Sequence, residues 1–170
     1  MATIIQDSID CLRQGLDLAR RIDTDAFTFR CPECFGSTIG GHLRHNTDHY
    51  RALFGGIETG EVDYDARPRD VTQERCPQTT ASVHESLIAQ LEEVPEALIE
   101  APLTVKLDSG GETGGGWAQS SLHRELQFLL SHTVHHYALV AVICRLSGVA
   151  VADGFGVAPS TLRYQCASSR

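Results

Sequence analysis

Apolar residues recur every third or fourth position near the start of the chain, at Ile5, Ile9, Leu12, Leu16 and Ala19. Asp7, Asp10, Arg13, Asp17 and Arg20 fall largely outside that stripe. One apolar and one charged face predict an amphipathic helix over roughly residues 3–21. A second stripe, Ile39, Leu43, Tyr50, Leu53, Phe54 and Ile57, follows Ser37 and Thr38, either of which caps a helix start, and weakens at Gly55, Gly56 and Gly60. Ser82 with Glu85 reads as a capping box for a third helix carried by Val83, Leu87, Leu91 and Val94 and stopped near Pro95. The longest pattern opens near Ser120 or Ser121 and closes at Gly148, about 27 residues and so about 40 Å of helix.

The stretches between these helices read differently. "ETGEVDYDARPRDVTQERCPQ" is polar with two prolines and predicts a long surface crossover between the second and third helices. Leu103, Val105 and Leu107 alternate in "PLTVKLDSGGE" before a glycine-rich turn, the period of a short β-hairpin. The tail "GFGVAPSTLRYQ" has no helical period and is expected to pack as an extended segment. The fold class that results is all-α: a four-helix bundle with one long crossover and a hairpin-like segment before the fourth helix. A single domain over residues 1–170 is expected, since that length buries a continuous core without staples.

Charge narrows the function classes. Lys and Arg are outnumbered 14 to 22, giving a formal net charge of -8, which argues against nucleic acid or an anionic membrane as partner. No basic and apolar leader pattern opens the chain and no run of about 18 apolar residues is present, so a cytoplasmic protein is expected. Cys11, Cys31, Cys34, Cys76, Cys144 and Cys166 are scattered, and no disulfide framework is indicated.

Histidine is the residue that changes the picture. "SHTVHHYAL" places His132, His135 and His136 within five positions of the longest helix. With His132 at zero and about 100° per residue, Glu125 lies near 20°, His136 near 40°, Leu139 near -20° and His135 near -60°. His132 and His136 therefore face inward, His135 sits on the edge, and the i, i+4 pair stacks two imidazoles where they can share one cation. Core histidines satisfied by neighbours or water are the plainer alternative. "GGHLRHNTDHYRALF" adds His42, His45 and His49 on the second helix. Two ligands from one helix and one from another leave positions open, the pattern of a catalytic rather than a structural metal. On periodicity alone the second-helix ligand is His42 or His49, because the apolar residues there centre about 70° from His42.

These motifs resemble the DinB/YfiT-like family of four-helix bundles with a three-histidine metal site. "STIGGHLRHNTDHYRALF" looks like the family's second helix, "HRELQFLLSHTVHHYAL" like its fourth, and "FGVAPSTLRY" like the ending of one branch. The resemblance implies His45, His132 and His136 as metal ligands, since Ile39, Leu43 and His45 fit the family's second-helix register; His42 stays the alternative. It also implies a divalent ion, Zn, Ni or Fe, with a low-molecular-weight thiol among the candidate co-substrates. The chain departs from the bacillithiol-dependent S-transferases, which continue the motif with Arg-Gly-Gln where this chain has Tyr137, Ala138 and Leu139. It departs from the sulfoxide synthases too, which carry Glu where this chain has Ala138.

A metal held by three neutral imidazoles activates water or a thiol at neutral pH, so the expected function is a metal-dependent hydrolase or thiol-dependent S-transferase acting on a small molecule. Glu125 is the candidate to orient a ligand or take a proton, unless it pairs with Arg44 or Arg51. Asp48 and His49 are candidate proton acceptors near the mouth, unless they lie on a solvated face; Tyr50 and Tyr137 read as packing. The lone "CPEC" at 31–34 is a weak zinc or redox signal. Val134, Ala138, Ala141 and Val142 suit a homodimer seam or a contact with the hairpin or tail. The contrasting classes are a non-catalytic metal-binding stress-response or interaction module and a metal or redox sensor.

Overall fold

The computed structural model describes residues 3–67, 69–108, 110 and 115–168. The first predicted helix is α1 (Thr3–Arg21), followed by a one-turn α2 (Thr24–Thr28) that periodicity does not announce. α2 starts at Asp23, whose carboxylate accepts from the Ala26 N–H at 2.8 Å, and it delivers the fully buried Phe27 to the core. The second predicted helix is α3 (Ile39–Ile57), capped by Thr38 Oγ1, which accepts from the Gly41 N–H at 2.9 Å. Such a cap stabilises a helix by about 1 kcal/mol.

The third helix begins earlier than its capping-box pattern suggested: α4 spans Pro77–Glu93. Pro77 occupies the first turn, where a missing N–H costs nothing and the fixed φ favours a helix. Ser82 lies inside the helix and returns its hydroxyl to Gln78 O at 3.1 Å rather than capping. The fourth predicted helix is α5 (Leu122–Leu146), with Ser121 Oγ accepting from the Arg124 N–H. By length and composition alone α5 is long and apolar enough to span a membrane, with a mean hydropathy of 1.3 over its most apolar window, a test that the core helix of a soluble bundle also passes. Here α5 packs against α1 and α3.

Around the bundle the contacts run α1 to α4, α4 to α3, α3 to α5 and α5 back to α1. α3 and α5 are therefore neighbours, and their histidine-bearing faces meet. The core between the four helices includes Leu12, Leu18, Leu43, Leu53, Leu91, Leu126, Leu129 and Ile143, all with no exposed surface.

The chain is mostly helical rather than all-α. The expected hairpin forms from β2 (Pro102–Lys106) and β3 (Trp117–Ser121), antiparallel with Leu103 opposite Ser120. Leu107 lies beyond β2 and is exposed, and most of the glycine-rich turn lies outside the described residues. A third strand, β1 (Glu61–Asp63), comes from within the polar crossover and pairs parallel to β2. It buries Val62, and two residues on Tyr64 is buried as well, which brings the start of the crossover onto α3.

The tail also departs from expectation. Residues Pro159–Ser168 form α6, opened by Pro159, with the Thr161 and Leu162 N–H groups donating to Ala158 O. None of its residues is buried, so no apolar period marks it in the sequence. Ahead of it, Phe155 stacks on Tyr137 with ring centres 5.0 Å apart, and the Gly156 N–H donates to Gln14 Oε1. A Cβ at Gly156 would stand 2.7 Å from the Ala138 nitrogen, so the tail covers that side of α5. All six cysteines are free thiols.

Candidate metal centre

α3 and α5 bring six histidine rings together where their faces meet, His42, His45 and His49 from α3 and His132, His135 and His136 from the middle of α5. His45, His132 and His136 offer ring nitrogens that all lie within 4.8 Å of one another. His132 Nε2 and His45 Nε2 are 3.0 Å apart. Two imidazole nitrogens sharing a tetrahedral ion at bonds of 2.0–2.1 Å stand roughly 3.3 Å apart, so the spacing fits a metal with little adjustment. All three side chains are half-buried. A cleft of about 350 Å³, lined among others by Arg30, His42, Arg44, Glu74 and two of the three, His45 and His136, opens beside the trio.

Burial and mutual repulsion keep these rings neutral. Burial is the leading cause in each case: His45 is pushed down to about 2, helped by the neighbouring His49, His136 and His132. His132 falls to about 4, with His135 and Arg67 adding to burial, and His136 to about 3, with His132, His42 and His135 adding to it. A neutral imidazole keeps one nitrogen lone pair, which is what a cation needs. An all-imidazole donor set suits Zn, Ni, Fe or Cu.

The other two histidines of α3 flank the trio. His42 Nδ1 lies 2.8 Å from His136 Nδ1, and His42 Nε2 lies 3.1 Å from Ser37 Oγ. His49 is buried beneath the cluster, with ring centres 4.5 Å from His45 and 4.6 Å from His132. Its Nδ1–H donates to His45 O at 2.8 Å, so its bare Nε2 accepts from Arg67 Nη1 at 3.0 Å. Burial, with the Arg67 charge adding to it, holds His49 down near 4. His135 is exposed at the edge; His84 and His123 lie elsewhere, bonded to Tyr137 and Glu100.

Three of the plainer alternatives left open by the sequence do not hold. Glu125 pairs with neither Arg44 nor Arg51: Oε2 accepts from Tyr64 OH at 2.8 Å and Oε1 from Ser120 Oγ. Its link to the histidines runs through the Tyr64 ring, 5.6 Å from His49. Asp48 is not on a solvated face; it is fully buried and ion-paired with Arg44 at 2.8 Å, while Arg44 also holds Glu74 at 2.9 Å. His49, only 3 % exposed, is not solvated either. Tyr50 and Tyr137 are fully buried packing residues, as read.

Arg67 and Tyr64 were not singled out from sequence. The alternation of Val62 and Tyr64 in "EVDYD" was the available signal for Tyr64; nothing in the polar crossover marked Arg67.

A family model described as the DinB superfamily matches residues 11–140, well over half of the chain. The chain belongs to the DinB superfamily. Among solved structures, this DinB chain is similar to YjoA, a DinB-like protein of Bacillus subtilis, with a TM-score of 0.65 and 15% identity over 91% of this chain and 98% of that one. It is similar also to YfiT of Bacillus subtilis, described as a probable metal-dependent hydrolase with an unusual four-helix bundle topology, with a TM-score of 0.59 and 15% identity over 88% and 91% of the two chains. At that identity the likeness establishes the fold. Over 104 residues the chain is 30% identical to a protein of Rhizopus delemar named FK506-binding protein 5. That match takes in 61% of this chain and 27% of the other, so the chain spans about a quarter of the curated relative it matches.

Proposed function

We propose that this DinB-superfamily chain is a metal-dependent enzyme in which His45, His132 and His136 hold one divalent ion, Zn, Ni or Fe, and act on a small molecule entering from the cleft. The carrying observation is the convergence of three half-buried, neutral imidazoles, two of which, His45 and His136, line an open cleft. Three protein ligands leave a coordination position free, as catalytic sites require. When bound, such an ion supplies Lewis acidity and lowers the pKa of water or of a thiol that reaches its open face.

The reaction class is hydrolysis. The description of YfiT as a probable metal-dependent hydrolase supports that choice, and a low-molecular-weight thiol in place of water would give S-transfer at the same site. The chain's own groups have supporting parts in this reading. His49 fastens Arg67 against the cluster, and Glu125 holds Tyr64 in the wall beside it. Neither is assigned a proton-transfer step: the His49 Nε2 lone pair already accepts from Arg67, and Glu125 bonds Tyr64 and Ser120 rather than a site histidine.

The test is a panel of small esters and amides, with and without added thiols, run on the metal-loaded chain, the metal-free chain and His132→Ala. Turnover that needs both the metal and His132 supports the enzyme. Stoichiometric metal with no turnover on any member of the panel favours the non-catalytic metal-binding module.

A further inference from the structure

The Cys-x-x-Cys turn has no part in the proposal above, yet it reaches the site through one side chain. Cys31 and Ser37 form an isolated antiparallel bridge, with the Cys31 N–H donating to Ser37 O at 3.0 Å. Within the turn the Ser37 N–H donates to Cys34 O at 3.0 Å, and the Gly36 N–H to Cys31 O at 2.9 Å. The loop closes through Phe35 and Gly36, both with left-handed φ, 58° and 71°. Both thiols are buried. The turn is a small clamp whose product is a fixed Ser37.

Counting protons from Ser37 leads to the metal centre. Ser37 Oγ lies 2.6 Å from Cys34 O. A carbonyl has no hydrogen to give, so the single hydroxyl proton of Ser37 is spent on it. Ser37 Oγ, 3.1 Å from His42 Nε2, must then accept from His42 Nε2–H. With both rings neutral, His42 Nδ1 is bare and accepts from His136 Nδ1–H across 2.8 Å. The same count leaves His136 Nε2 with a lone pair and no hydrogen.

We propose that the 31–37 turn acts through Ser37 and His42 as a positioning relay that fixes the tautomer of His136 and keeps its Nε2 lone pair available to the cation. The inference rests on the three-histidine reading of the site and adds His42 as a positioning residue rather than a fourth ligand. Metal-binding histidines characteristically give their second N–H to an acceptor, usually a carboxylate, carbonyl or water, and loss of that acceptor weakens metal binding by about 10- to 100-fold; here the acceptor is the His42 ring. It also assigns a role to "CPEC" that requires neither zinc nor a disulfide at the cysteines: the motif shapes the clamp.

The full chain is labelled with ¹⁵N-histidine, stripped of metal, and its ring tautomers are read by long-range ¹⁵N–¹H NMR; zinc affinity is measured separately against a competing chelator. The expected result is His42 protonated at Nε2 and His136 at Nδ1. Ser37→Ala mixes both tautomers and weakens zinc binding by about 10-fold, and Ser37→Thr, which keeps the hydroxyl, restores both. His42→Phe weakens zinc binding further, and the backbone spectrum of each variant reports its fold. His136 protonated at Nε2 in the metal-free chain, or Ser37→Ala with unchanged tautomers and affinity, overturns the relay. A native chain that shows the stated tautomers but binds no zinc, nickel or iron supports the relay as a hydrogen-bond chain and overturns the three-histidine reading instead.

Discussion

Replacing Gly15 by alanine sets two effects against each other, and the structure decides the sign. Gly15 lies buried in the middle of α1, where alanine would favour the helix by about 1 kcal/mol. A Cβ there would stand 2.1 Å from the Tyr137 hydroxyl oxygen and 2.7 Å from His84 Nε2. Neither group can retreat cheaply: Tyr137 is stacked on Phe155, and His84 is fully buried with Nδ1 tied to Thr80 O at 2.8 Å. The methyl group therefore overpacks the core, at about 1–3 kcal/mol. It also drives apart the Tyr137–His84 hydrogen bond, leaving two buried polar atoms unpaired at a similar further cost. The net expectation is a destabilisation of about 3 kcal/mol. Urea unfolding followed by far-ultraviolet circular dichroism reads it as a lowered midpoint at unchanged slope. Gly55→Ala is the control, since that position on α3 is exposed and meets nothing within 4 Å of a Cβ; it should hold or raise the midpoint. Gly15→Ala as stable as Gly55→Ala would refute the packing argument.

Further expectations follow from the same contacts. Burial pushes His84 down to about 4 from 6.5, so between those values the unfolded chain binds the extra proton and the metal-free protein loses stability as the pH falls, by up to about 3 kcal/mol from this residue. The site histidines push in the same direction, and a urea midpoint that stays constant from pH 7 to pH 5 would contradict both. Arg44→Leu strands the fully buried Asp48 carboxylate and should cost about 3–5 kcal/mol. Arg13→Ala, which breaks only ion pairs between side chains about half exposed, should change thermal stability by less than about 1 kcal/mol. Tyr64→Phe removes the hydroxyl that donates to Glu125 Oε2 at 2.8 Å and should destabilise by about 1–3 kcal/mol, seen in the same urea assay.

What the sequence disclosed follows from how each element is buried. α1, α3 and α5 each carry a sustained apolar stripe, α3 and α5 also a capping residue ahead of them, and their positions were legible to within a residue or two at most ends. The start of α4 was hidden because its first inward residues include Thr80 and His84, buried but polar. α6 was hidden because nothing in it is buried, and β1 because a three-residue strand is shorter than any period that could reveal it.

The site shows the same logic. Periodicity pointed to His42 or His49 because an apolar stripe locates the driest face of a helix. His49 is indeed the most deeply buried of the three on α3. The nitrogens that converge with His132 and His136 belong to His45, on the half-exposed shoulder of that stripe, where a cleft can reach them. The family resemblance named His45; hydrophobic pattern alone points away from any site that must stay open to solvent. Arg67, Tyr64 and Ser37 reach the histidines from loops and a strand end, and only the folded chain brings them there.

The most direct test of the central claim is the metal content of chain purified without a metal-binding tag, measured by plasma mass spectrometry beside His45→Ala, His132→Ala and His136→Ala. Close to one divalent ion per chain is expected, lost in all three variants while each keeps its helical circular dichroism. A native chain that takes up no zinc, nickel or iron even after incubation, or a full complement retained by the three variants, would contradict that claim.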